Sequence, residues 1–237
     1  MAHKLGLGHG KCFAFLMKRF FHNNGLSVVV FTLFAAFLVG QSVTGHLAYN
    51  QDREEHGEAP LSYGEYLLSG ANLEATAENW ESEFLQMAIF VLFTAFLYQR
   101  GSAESKDPDS NEAVDRDPRK SRHKREAPWP VRRGGWVLRI YENSLTLVFF
   151  LLFLVSFALH AVGGAREYNE EQLEHGGRTL TTLQYMHEPQ FWFESFQNWQ
   201  SEFLALGAMA VLSIYLRQRG SPESKPVDAP HSSTGKD

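Results

Sequence analysis

The chain has 237 residues, a formal net charge of −5 and a single cysteine, with a mean hydropathy of −0.27. One thiol, Cys12, excludes an intramolecular disulfide, and no Gly-rich phosphate loop, His-Glu-x-x-His motif, serine elbow or paired Cys/His zinc spacing occurs. The polar mean conceals four apolar blocks, rich in the 19 phenylalanines, so the reading starts from those blocks.

The N-terminal segment 1–23 carries Lys4, Lys11, Lys18 and Arg19 and reads as cytoplasmic. The first block, 26–46, has no charged side chain and, as a helix, covers about 31 Å, the thickness of a bilayer core. It is longer than a signal-peptide core and no small-x-small cleavage site follows, so it is expected to remain as an anchor. The next block spans about 80–99 once Trp80 is recruited to the interfacial aromatic belt at one end and Arg100 snorkels at the other. Segment 107–138 is charged, poor in apolar residues and expected to be a flexible cytoplasmic linker. Its Arg119–Arg125 cluster fits a topology determinant or an anionic-lipid contact, not nucleic acid. Spans of about 145–164 and 199–217 follow, the latter framed by Trp199 and Arg219, and 226–237 reads as a disordered tail.

These blocks are two copies of one unit. Residues 24–106 align with 143–225 at a constant offset of 119, without a gap. Asn79-Trp80-Glu81-Ser82-Glu83-Phe84-Leu85 returns as Asn198-Trp199-Gln200-Ser201-Glu202-Phe203-Leu204, and Gln99-Arg100-Gly101-Ser102 as Gln218-Arg219-Gly220-Ser221. The expected fold is therefore an all-α membrane protein with four transmembrane helices. They form two tandemly duplicated hairpins, a parallel repeat with a pseudo-twofold axis along the membrane normal. Segment 46–83 has only Arg53 as a basic residue, and 165–202 only Arg166 and Arg178, so both face outward and both termini face the cytoplasm.

Trp192, Phe196, Trp199 and Phe203 share a helical face, as do Leu73, Ala77, Trp80 and Phe84, so the second helix of each copy should begin outside the membrane, near 73 and 191. Pro189 suits that start. Small residues Ala36, Gly40 and Thr44 line one face of the first span, and Ser156 and Gly164 keep part of that stripe in the third, with His160 between them.

Three sets of side chains are candidates for a site. Glu83 and Glu202 sit about one turn inside their Trp residues, and buried acids in membranes face bundle interiors or water. With Gln41 and His160, at outer positions of the first and third spans, they are expected to line a pocket for an ion or protonatable ligand; the alternative leaves the acids among headgroups. Glu55-His56-Gly57 and Glu174-His175-Gly176 recur in both copies, and Glu55, His56, Glu174 and His175 are a weaker candidate metal set. Their alternative is a histidine at a helix C-terminus, where the dipole favours its charged form. Trp80, Trp199, Arg100 and Arg219 are the interfacial anchors.

The strings Gly40-Gln41-Ser42, Ser62-Tyr63-Gly64-Glu65-Tyr66, Asn79-Trp80-Glu81-Ser82-Glu83-Phe84-Leu85-Gln86 and Gln99-Arg100-Gly101-Ser102-Ala103-Glu104-Ser105-Lys106 resemble a family of bacterial membrane proteins known as a domain of unknown function. Copy two departs from the pattern at Gln200 and Pro222. The resemblance implies a multi-pass protein of the bacterial plasma membrane and carries no activity with it. The expected function is a non-enzymatic scaffold or sensor with an acidic outer face, needing no cofactor. Its partners are the lipid bilayer and a second copy or an envelope protein, and nucleic acid is not among them. A small ion or proton channel or transporter is the alternative, and a membrane enzyme using the outer Glu/His cluster is a further one.

Overall fold

A computed structural model describes residues 6–235, with side chains from residue 14 onward. Lys4 lies outside the described residues, and Lys11 and Cys12 within the backbone-only part. The described residues are all-helical, without strands. Helix α1 runs Gly6–Glu55, α2 Tyr63–Leu67, α3 Gly70–Thr94, α4 Trp129–Arg133, α5 Gly135–Glu142, α6 Ser144–Glu174, α7 Thr182–Tyr185 and α8 Pro189–Tyr215. Two helices, α1 over Ala14–Glu55 and α6, are long and apolar enough to cross a membrane. The chain divides into two compact units, 1–68 and 69–237, a boundary that falls inside the first repeat.

In the first unit α1 is a single helix of 50 residues, so the basic N-terminal segment continues into the apolar block without a break. Phe31, Phe37 and Val39 stand exposed along it, as do Ala36, Gly40 and Thr44. The helix stops at Gly57, whose φ of +80° is open to glycine and whose N–H donates to Glu54 O. The chain then folds back: Asn50 donates to Leu61 O at 2.9 Å and accepts from Leu61 N at 2.8 Å. Ser62 and Glu65 form a capping box that starts α2. The buried Tyr66 ring lies 5.7 Å from Tyr49.

The same local construction follows α6 in the second unit. Gly176 (φ +69°) ends the helix, Asn169 pairs with the backbone of Leu180 at 2.8 and 2.7 Å, and Thr181 with Gln184 boxes the start of α7. Tyr168 and Tyr185 lie 5.7 Å apart. Each of these residues stands 119 positions after its counterpart.

Helix α3 packs along α6 at close range because glycine meets backbone in both directions. A Cβ on Gly70 would come within 2.6 Å of Glu167 N, and one on Gly163 within 2.6 Å of Glu74 N. Ala77, Leu85 and Ala88 of α3 and Ser156 of α6 are buried, and Ala161 and Ala165 of α6 pack in one cluster with Tyr185 and Phe191. Helix α8 begins with Pro189 in its first turn and covers the pair. Its Phe191 is fully buried against Phe157 and Tyr185, and the Gln86 amide donates to Glu202 O at 3.1 Å.

At the other end of these helices the chain is tied rather than loose. Ser102 and Ser213 hydroxyls lie 3.0 Å apart. The charged segment 107–138, expected to be a flexible linker, holds short 3-10 turns at Ala113–Asp115 and Pro118–Ser121 besides α4 and the start of α5. Arg100 pairs with Asp109 at 2.8 Å and Lys106 with Asp115 at 2.6 Å. The segment after Lys225, whose composition reads as disordered, is likewise held as far as it is described. The Lys225 ammonium, 1 % exposed, donates to the carbonyls of Gly101, His231 and Ser233, and Gly101 N donates to Thr234 Oγ1 at 2.8 Å. Burial, with Arg217 nearby, pushes the Lys225 ammonium below its usual range. One lysine thus supplies the partner that a low-complexity tail lacks by itself.

Candidate functional site

The polar centre of the molecule lies between α3, α6 and α8, and it is carried by spacing. On α3, Glu74, Glu78 and Glu81 fall four and three residues apart, on one helical face. His160 occupies the middle of the small-residue face of α6, where Ser156 and Gly164 leave it room. Glu194 sits one turn after Gln190 on α8, and Tyr185 comes from the end of α7.

These groups form a connected chain. Glu81, fully buried, accepts the Trp199 indole N–H on Oε1 at 2.8 Å and faces His160 Nδ1 with Oε2 at 2.8 Å. The other imidazole nitrogen, Nε2, lies 3.3 Å from Glu194 Oε2. The Tyr185 hydroxyl is 3.1 Å from that same oxygen and 3.2 Å from Glu74 Oε1. Gln190 donates its amide to the remaining oxygen of Glu194. His160 itself is fully buried, and its ring lies 4.7 Å from Phe191. Gly164 makes this possible, because a Cβ there would stand 2.6 Å from both the Tyr185 hydroxyl and Glu74 Oε1.

Burial, reinforced by the neighbouring Glu194, raises the Glu74 carboxyl to about 8. Burial also raises Glu78. It pushes Glu194 the same way, yet hydrogen bonds from His160, Gln190 and Tyr185 outweigh it and hold that carboxyl below its ordinary value. Burial and the two carboxylates push the Tyr185 hydroxyl well up, so the phenol keeps its proton. One phenolic hydrogen serves one acceptor. A protonated Glu74 supplies the second hydrogen, so the Glu74, Tyr185 and Glu194 triad is satisfied with one extra proton.

Of the sequence-expected site residues, His160 and the anchor Trp199 meet at this centre, both through Glu81. Glu83 is exposed on α3, and Glu202 is half-buried on α8, within electrostatic reach of Glu83. Among the described residues His160 bonds Glu81 and Glu194 instead, because the face of α3 that meets α6 carries Glu81, two residues before Glu83. Gln41 is exposed in the first unit. His56 and His175 are exposed, each with Nδ1 on the carbonyl four residues earlier, Asp52 O and Glu171 O, at 2.9 Å, while Glu55 and Glu174 are exposed beside them. That is the helix-terminal arrangement. Trp199 spends its indole N–H on Glu81, Trp80 is half-buried, and Arg100 and Arg219 are exposed.

Glu74, Glu81 and Glu194 escaped a reading that favoured positions shared by both copies, since Glu81 stands opposite Gln200, Glu194 opposite Ala75 and Glu74 opposite Phe193. The acidic stripe at 74, 78 and 81 was the available signal. No curated protein and no solved structure matches the chain. The family described as Domain of unknown function (DUF6766) matches residues 17–236, nearly the full length, and the chain belongs to that family.

Proposed function

We propose that the protein is a multi-pass integral membrane module of two duplicated hairpins, with four spans, both termini cytoplasmic, in a bacterial plasma membrane. Its role is to bind a small cation from the outer side and to report occupancy through the packing of α3, α6 and α8. It acts as a sensor or scaffold, not as an enzyme. The observation that carries this reading is the buried chain Glu81, His160, Glu194, Tyr185 and Glu74. Glu81 and His160 fall at the outer ends of two of the proposed spans, where ionisable groups are costly and persist where they work. The apolar length of α1 and α6 supports the membrane assignment, and the matching turn construction at Asn50–Glu65 and Asn169–Gln184 supports the duplication.

Trp199 reports on the centre through its bond to Glu81. With the full chain in nanodiscs, the part of the emission lost in Trp199→Phe should shift when protons, sodium, magnesium or zinc are supplied in turn to the outer face. Glu81→Gln should blunt that shift. Silence toward all four cations overturns the sensor reading. In cells, a Ser110→Cys variant in a Cys12→Ser background should resist an impermeant thiol reagent, and efficient labelling overturns the topology.

A further inference from the structure

We infer that the centre is a binding site for a first-row divalent metal ion of the zinc class, held by Glu74, Glu194 and Nε2 of His160. The inference rests on the binding reading above and names its ligand. Among the described residues, one oxygen from each glutamate and one nitrogen of His160 lie within 4.8 Å of one another, on three different helices.

Three independent features point to a metal. The first is spacing. Zinc bonds to nitrogen and oxygen at about 2.0–2.2 Å, so neighbouring ligand atoms in a tetrahedral shell stand about 3.4 Å apart. The Nε2 to Glu194 Oε2 separation is 3.3 Å. That is long for a charge-assisted hydrogen bond, about 2.7–2.9 Å, and fits an edge of that shell. The second is the back of the imidazole. Glu81 takes the Nδ1 side at 2.8 Å and is itself held by the Trp199 N–H. A carboxylate behind a metal-bound histidine fixes the tautomer that leaves the Nε2 lone pair free and makes it a stronger donor. Glu81 is therefore a positioning residue, acting through His160. The third is convergence. The Tyr185 hydroxyl, with one hydrogen to give, lies within hydrogen-bond reach of both Glu74 Oε1 at 3.2 Å and Glu194 Oε2 at 3.1 Å, so the two carboxylates are aimed at one point.

The donor set also narrows the ion. One imidazole and two carboxylates suit zinc, manganese or iron(II), and the compact three-ligand arrangement with burial on α6 disfavours calcium, which takes six to eight oxygens.

The test uses the full chain in phosphatidylcholine nanodiscs, stripped with chelator and equilibrated with zinc sulfate alone. The wild type should retain one zinc per chain. Glu194→Gln and Glu74→Gln, which keep side-chain shape, should lose more affinity than the roughly 10- to 100-fold expected for Glu81→Gln, whose stoichiometry should persist. His175→Ala should bind as the wild type does. X-ray absorption at the zinc edge of the wild type should show one imidazole among oxygen donors, a readout independent of how any variant folds. Lack of stoichiometric zinc, a spectrum without imidazole, or wild-type affinity in both glutamate variants overturns the site. If zinc fails while another cation still shifts the Trp199 signal, the metal inference falls and the sensor reading stands.

Discussion

Two sets of positions 119 residues apart have taken different paths. Tyr185 and Trp199, in the buried centre, stand opposite Tyr66 and Trp80, and the turns that carry the tyrosines are built alike. The histidine and glutamates of the centre do not repeat. His160 stands opposite Gln41, Glu81 opposite Gln200, Glu194 opposite Ala75 and Glu74 opposite Phe193. At this centre the shared aromatic residues frame the site, and the divergent positions supply its histidine and carboxylates.

The largest expected effect follows from breaking the centre on one side. His160→Ala leaves the Glu81 and Glu194 carboxyls buried without the imidazole between them. Unfolding of the detergent-held protein should show a loss of about 3–5 kcal/mol. Writing the counterpart residues instead, as Glu81→Gln with His160→Gln and Glu194→Ala, should recover most of that stability while leaving no cation response. A triple variant as unstable as His160→Ala would show that the two sets are not interchangeable.

A middle effect contrasts two glycines. A Cβ on Gly163 meets the backbone of Glu74 at 2.6 Å, whereas one on Gly40 meets nothing within 4 Å. Gly163→Ala should cost about 1–3 kcal/mol by forcing α3 from α6. Gly40→Ala should be neutral or gain up to about 1 kcal/mol from helix propensity. Equal melting shifts for the two variants would remove the close α3–α6 contact as a stabilising feature.

The smallest effect sharpens the boundary of the site. His56→Ala and His175→Ala remove exposed rings, each of which meets a backbone carbonyl of its own helix, so each should change stability by no more than about 0.5 kcal/mol. Zinc retention should be untouched. A loss of metal in either variant would move the site to the helix-end histidines.

Much of the helical layout was written plainly in the chain. The apolar run beginning at Leu145 gives α6, which starts at Ser144. The aromatic stripe through Trp192 and Trp199 gives α8, which starts at Pro189, and the stripe from Leu73 gives α3, which starts at Gly70. Periodicity reports a helix and one of its faces. It does not report which helix that face meets. Glu81 and Glu83 both lie in the repeated motif, and only the docking of α3 on α6 decides that the first is fully buried and the second exposed. Tyr185 was hidden for a different reason. Its hydroxyl reaches Glu74 across 111 residues of sequence, a distance over which no local pattern extends. The tied tail had the same kind of cause, since Lys225 reaches back 124 residues to the Gly101 carbonyl.

That lysine sets the mechanics of the bundle. With Lys225 and the Ser102–Ser213 contact pinning the far ends of α3 and α8, neither helix is free to slide as a piston past the other. Any displacement started near Glu81 must appear as a tilt about the pinned end. From Glu81 to the last residue of α3, Thr94, the lever arm is about 20 Å at 1.5 Å per residue. A shift of about 1 Å at the centre therefore becomes a rotation of about 3° over that arm.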